Sequence, residues 1–359
     1  MAFKYKIVHS KLLYIFLTYI SLFLFFFSTT KVEGKAFEIN NIEITMPFEM
    51  EFNKNKVIDD GFREAFSQLM SLIVNSTDKK KTSKIRLNEI KGMIESFSIK
   101  EEKFVNETYY VNLGVSFNKK KIFNYLEKNN IFPSTPVKKK ILLIPIIIDE
   151  KKKDLLVFSN NKFFDTWLNV KENFHLIEYI LPTEDLEDLK LLKDRYDVIE
   201  QYNFKEIIDK YDLRDSIIVL IFKREEEVRI LSRISIMGNV ILKNQTFSKT
   251  NFTNLSEVEN IIKDLQIVYE DFWRRLNQVN TSIKLPLYIK LKSTENRKIS
   301  KFEKILNETD LIYEFFISKY DNNYIYYQVI FNGTPSIFLK GMSDKGFDFN
   351  TENKTWILK

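Results

Sequence analysis

Residues 141–148, ILLIPIII, form an unbroken apolar run between Lys140 and Asp149. The run is far shorter than the roughly 20 residues that a membrane span needs. A short run rich in β-branched residues predicts a central strand covered on both faces. Working outward, FFDTWLNV (163–170) reads as a helix and FHLIEYIL (174–181) as a strand. An acidic helix, a helix over 203–211 and the strand SIIVLIF (216–222) follow, with further strands at VRILSRI (228–234) and VILKNQTF (240–247). Alternation of strands and helices predicts an α/β layer. Ser256 with Glu259 has the spacing of a capping box, opening a long helix with an apolar stripe from Val258 to Val279.

On either side lie two smaller units. Before the run, Ile58, Phe62, Ala65, Phe66, Leu69, Leu72 and Ile73 recur at helical spacing, and Tyr109 to Phe117 alternate as a half-buried strand after a turn at Asn106. NNIFPSTPVKKK (129–140) has the prolines, small polar residues and charges of a linker. After the long helix, residues 285–359 read as β-α-β-β-α-β, with a hairpin turn at Asp321-Asn322-Asn323 and Thr334-Pro335 opening the second helix. That order predicts a ferredoxin-like split βαβ unit. The expected fold is therefore α+β and α/β multidomain: an α+β domain over 37–132, an α/β domain over 140–280 and a βαββαβ domain over 285–359.

Residues 1–36 are read as a targeting segment. Lys4, Lys6 and Lys11 precede an apolar stretch over 12–27, the pattern of a secretory signal. Gly34 and Ala36 offer cleavage sites; the alternative is an uncleaved inner-membrane anchor over 12–27. Losing Lys4, Lys6, Lys11, Lys31 and Lys35 against Glu33 removes four of the six net positive charges. The remainder lacks the basic excess of a nucleic-acid binder. With 359 residues and no cysteine, the chain must rest on its hydrophobic core, and a lipidated cysteine is excluded. These features fit a bacterial periplasm, with an envelope protein as partner, no nucleic acid, and membrane contact only through the first segment if it stays uncleaved.

The chemistry open to such a chain is narrow. His175 would be the one histidine left after export, which removes multi-histidine metal sites. There is no cysteine nucleophile, no G-x-S-x-G elbow and no phosphate-binding glycine loop, and no cofactor or metal is implied. LPTEDLEDLKLLKDR (181–195) places Glu184, Asp185, Glu187 and Asp188 before Lys190, Lys193 and Arg195. That polarity suits a helix dipole, with Thr183 as cap and Leu186, Leu189 and Leu192 on the buried side. Tyr324, Tyr326 and Tyr327 resemble the aromatics of RNA-binding sheets but lack the basic-glycine-aromatic pattern, and read as core or as a contact face.

DGFREAFSQLM, ILLIPIII, NNKFFDTWLNV, LPTEDLEDLKLL and YDLRDSIIVLIF together resemble an uncharacterised family of proteobacterial exported proteins, a domain of unknown function. The resemblance implies an envelope location and no activity, and it points to Asn161, Trp167, Pro182, Asp185 and Asp188 as a shared surface. Two function classes follow. The first is a non-enzymatic periplasmic binding or assembly protein; the alternative is a carboxylate-dependent hydrolase of envelope material, with Asp185 or Asp188 as acid or base.

Overall fold

A computed structural model describes residues 37–359 apart from 50, 170–175, 225–226, 249 and 310. The expected targeting segment and His175 thus lie outside the described residues. Those residues form three β-sheets and ten α-helices, a mixed α+β architecture as the pattern predicts.

The first sheet is antiparallel, in the order β1-β3-β2. Its strands are β1 (Glu38–Pro47), β2 (Ile94–Val105) and β3 (Thr108–Phe117), and the helices α1 (Lys54–Ile73), α2 (Ser76–Thr82), α3 (Leu87–Met93) and α4 (Lys119–Lys128) complete the unit. Tyr109, Val111, Leu113, Val115 and Phe117 share a core with Phe62, Ala65, Phe66 and Leu69 of α1. Gly61 lets α1 press onto β3, since a Cβ there would meet the Leu113 side chain at 2.4 Å. Asn106 and Glu107 both take positive φ, the backbone of a two-residue hairpin turn.

The second sheet holds β4 (Lys139–Asp149), β5 (Asp154–Leu156), β6 (Ile177–Ile180), β7 (Ser216–Lys223), β8 (Glu227–Ile236) and β9 (Asn239–Ser248). Its helices are α5 (Lys162–Asn169), α6 (Leu186–Asp194), α7 (Lys205–Ile208) and α8 (Leu255–Leu276). β4 is covered on both faces, as its composition predicts. Ile141, Leu143 and Ile147 pack with residues of α5 and α8, while Leu142, Ile144, Ile146 and Ile148 pack with residues of α6 and α7. One edge of β4 runs parallel to β7 along its length. The other edge is divided, with β6 pairing residues 139–142 and β5 pairing residues 147–149. Pro145 falls in the gap between them, where its missing N–H leaves nothing unpaired.

The long helix begins earlier than the Ser256–Glu259 spacing suggests. Asn254 is the cap, its Oδ1 accepting from the Ser256 amide at 3.2 Å. Along α8 the buried face includes more than the apolar stripe: Glu270 and Arg274 are also buried. Glu270 accepts from the amides of Leu176 and Ile177 at 3.0 and 2.9 Å and pairs with Arg274 at 3.2 Å. Arg274 also pairs with Asp271 at 3.1 Å, and Asp271 accepts from the Ser76 amide at 2.9 Å. The linker-like stretch is pinned against the end of this helix. Trp273 Nε1 donates to the Val137 carbonyl at 2.7 Å, the Thr135 amide to Asn277 at 3.0 Å, and the Val279 amide to Pro133 at 2.8 Å.

The third sheet runs β11-β12-β10-β14-β13. Its strands are β10 (Leu285–Lys292), β11 (Ile312–Tyr320), β12 (Tyr324–Phe331), β13 (Phe349–Asn350) and β14 (Thr355–Leu358), with α9 (Asn296–Glu308) and α10 (Pro335–Ser343) between them. The first four elements follow the expected β-α-β-β order, and Asp321 closes the hairpin by accepting from the Asn323 and Tyr324 amides. The end of the chain differs from the expected split βαβ pattern. The two-residue β13 takes the edge and turns the chain, so β14 enters beside β10 in parallel rather than antiparallel orientation.

Asn161→Ala tests the divided edge of β4, because the Asn161 Nδ2 donates to the Pro145 carbonyl and its Oδ1 caps α5 by accepting from the Phe163 amide. Losing a helix cap and orphaning the buried Pro145 carbonyl should cost about 2–4 kcal/mol in equilibrium denaturation. A cost below about 0.5 kcal/mol, the size of an ordinary surface change, would contradict that role.

Candidate functional site

The five residues singled out in sequence do not form one site. Asn161 is fully buried and every polar atom of its amide is engaged. Its Nδ2 donates to the carbonyls of Pro145 at 2.9 Å and Leu156 at 3.3 Å, and its Oδ1 accepts from the Phe163 amide at 2.9 Å. It joins β4, β5 and the start of α5. Trp167 is buried between Tyr179, edge-on at 5.4 Å, and Tyr269, stacked at 6.3 Å. Burial, and then the charge of Glu270, holds the Tyr179 hydroxyl protonated well above the usual phenol range. Pro182 is buried where the chain leaves β6.

Asp185 and Asp188 do converge, and they converge on a lysine. Asp185, rather than Thr183, caps α6, accepting from the Glu187 amide at 2.8 Å. Lys210 Nζ, just beyond α7, lies 2.6 Å from Asp185 Oδ2 and 2.7 Å from Asp188 Oδ1. The hydrogen bond from Lys210 holds the Asp185 carboxyl below the ordinary carboxylate range, and Asp185 followed by Asp188 holds the ammonium above its own. Asp188 is 2% exposed and Leu186 is 78% exposed, which corrects the expected buried side at Leu186, while Leu192 is buried and Leu189 packs partly buried against the same core. Two residues along a helix turn about 200°, so a helix that buries Asp188 and Leu192 must present Leu186 to solvent.

A cleft of about 930 Å³ lies beyond the carboxyl ends of β4 and β7. Open α/β sheets commonly bind ligands at that position. Its floor is Asp149 and Glu150 after β4 and Lys223 and Arg224 around the end of β7, and its far wall is Thr250, Asn251 and Glu257 at the start of α8. Asp149 is buried; it accepts from the Lys152 amide at 3.0 Å and sits 3.7 Å from Lys223. Arg224 pairs with Glu150 at 2.9 Å and Glu227 at 2.8 Å. Glu257 accepts from the Asn251 amide at 2.8 Å and from Asn254 Nδ2 at 2.8 Å. The cleft is thus lined by both charges, each carboxylate held by a cation or an N–H donor. Among the described residues, no three His, Cys, Asp or Glu side chains are grouped to hold a metal ion.

The cleft was legible in principle. Asp149-Glu150 and Lys223-Arg224 each follow a continuously apolar strand, and charges at the carboxyl ends of central strands are where an α/β sheet places its site. Lys210 carries no comparable signal, standing 22 residues from Asp188 in sequence. No protein-family model matches the chain, and no curated protein matches it.

The α6 geometry separates its leucines. Leu192→Ala should cost about 2–5 kcal/mol by opening a cavity, and Leu186→Ala less than about 0.5 kcal/mol; urea denaturation showing equal losses would refute the assignment. Lys210→Met should lower the denaturation midpoint at neutral pH, because it leaves the buried Asp188 without its cation, and the variant should lose less stability than wild type on acidification. Wild type should lose more because Asp185, with its depressed pKa, contributes above the ordinary carboxylate range and loses that contribution as pH falls through its folded value. A variant more acid-sensitive than wild type would contradict this.

Proposed function

We propose that the chain is an exported, non-enzymatic protein of the bacterial envelope that binds or assembles a partner there. The observation that carries this reading is the apolar exposure along edge strands. Phe97 and Phe104 on β2, Leu242 on β9 and Phe316 on β11 are all more than 40% exposed. Edge strands with exposed apolar side chains are sites at which another chain adds. The signal-like residues 1–36 and the resemblance to an exported family support the location. No described helix is long and apolar enough to cross a membrane, so membrane contact in this reading rests on residues 12–27 alone.

The hydrolase alternative would need a carboxylate pair with separate acid and base roles. Asp185 and Asp188 share one lysine, and Asp149, Glu150 and Glu257 are each bound in place. These are the partnerships of structural carboxylates.

Photo-crosslinking residues in place of Phe97, Leu242 or Phe316, used in intact cells together with fractionation, test the proposal. Recovery in the periplasmic fraction, with a crosslinked product of discrete mass from at least one position, is expected. Cytosolic retention would overturn it. So would a folded Asp149→Asn or Asp185→Asn variant that loses the biological role while no position crosslinks.

A further inference from the structure

The third sheet is packed by α9 and α10 on one face. Leu287, Ile289, Leu291, Tyr327 and Val329 are buried there with Phe302 and Phe338. Tyr327, grouped by sequence with Tyr324 and Tyr326, belongs to that core, its hydroxyl 2.6 Å from Glu303. Strand alternation turns its neighbours the other way.

On the opposite face, β10 and β12 set Tyr288 against Gln328, Lys290 against Tyr326 and Lys292 against Tyr324. Tyr288 is 43% exposed, and Tyr324 and Tyr326 are half-buried. Lys290 Nζ lies 4.6 Å from the Tyr324 ring centroid, and Lys319 Nζ lies 5.1 Å from that of Tyr326. Each ring is therefore already matched with a cation. The acids nearby are engaged: Asp321 with the turn amides and, at 3.8 Å, with Lys319, and Glu314 with Lys120 at 3.1 Å. Lys290 and Lys292 keep the aromatic surface positive.

We propose that this face binds an anionic polysaccharide, with sugar rings resting on Tyr288, Tyr324 and Tyr326 and carboxylates paired with Lys290 and Lys292. A uronic acid presents an apolar C–H face and a carboxylate within one ring, which is the pairing that the tyrosine–lysine couples offer. Alternate residues on a strand lie about 6.8 Å apart, so Tyr288 to Lys292 spans about 14 Å, the length of two or three sugars. A few exposed lysines attract a single charge weakly, and a chain of repeating charge gains by engaging them together. Single-stranded nucleic acid shares part of this chemistry. The Tyr324 and Tyr326 rings, however, are inclined by 65° at 6.3 Å, which suits separately oriented sugars better than a continuous stack of bases. The proposal rests on the export reading only for where such a polymer would be met.

Equilibrium binding of the full chain to fluorescently labelled polygalacturonate, dextran and oligothymidylate tests this. Polygalacturonate should bind at least about tenfold more tightly than dextran, with affinity falling as salt rises. Tyr326→Ala should weaken it about tenfold, as loss of one aromatic platform does for stacked ligands, without a change in Tm. Lys292→Gln, at an exposed lysine, should weaken binding and its salt dependence, and keeps the test sound if the tyrosine variant fails to fold. Equal affinity for dextran, tighter binding of oligothymidylate, or undiminished binding by folded variants would overturn the proposal. Because the assay is done in solution, its failure is distinct from a failure of export, which fractionation reads.

Discussion

Arg274 is buried, and the two carboxylates it joins reach into different parts of the molecule. Glu270 holds the amides at the entry of β6 in the central sheet, and Asp271 holds the amide and hydroxyl of Ser76 at the start of α2 in the first unit. Such a buried charge group adds little net stability, because desolvation offsets its attraction. Removing one member is costly, because the others stay buried without it. Its consequence is positional: one turn of α8 fixes the first unit and the β4–β6 edge with respect to each other.

The same helix organises both of its ends. Toward its C-terminus, Trp273 and Asn277 hold the stretch that leads into β4, so a segment with linker composition is in fact a strap. At its N-terminus, Glu257 closes the wall of the central cleft. The cleft's floor is set by the parallel pairing of β4 and β7, which brings Asp149 opposite Lys223. Cleft and strap therefore depend on how α8 lies on the sheet.

Much of this architecture could be read from pattern. The two-sided burial of β4 follows from its uninterrupted apolar run, and the clean alternation of β3 fixes which face meets α1. What could not be read is partnership over distance. Pro145 looks disruptive in a central strand until β5 and β6 are seen to leave a gap at that position. Asp188 looks solvated until Lys210 arrives from the turn after α7. A two-residue strand such as β13 has no alternation to detect, yet it reverses the direction of the strand that follows. At the candidate site, the helix-start reading of LPTEDLEDLKLL was sound for Asp185. It fails for Leu186, because the helix rotation that buries Asp188 and Leu192 carries Leu186 to solvent.

Native-state hydrogen exchange of Arg274→Met tests the α8 account most directly. If Arg274 orients both carboxylates, the amides of Ser76, Leu176 and Ile177 should lose protection together, while β12 amides in the third sheet keep theirs. Loss at only one of the two locations, or at neither, would contradict the claim that this buried group joins the first unit to the central sheet.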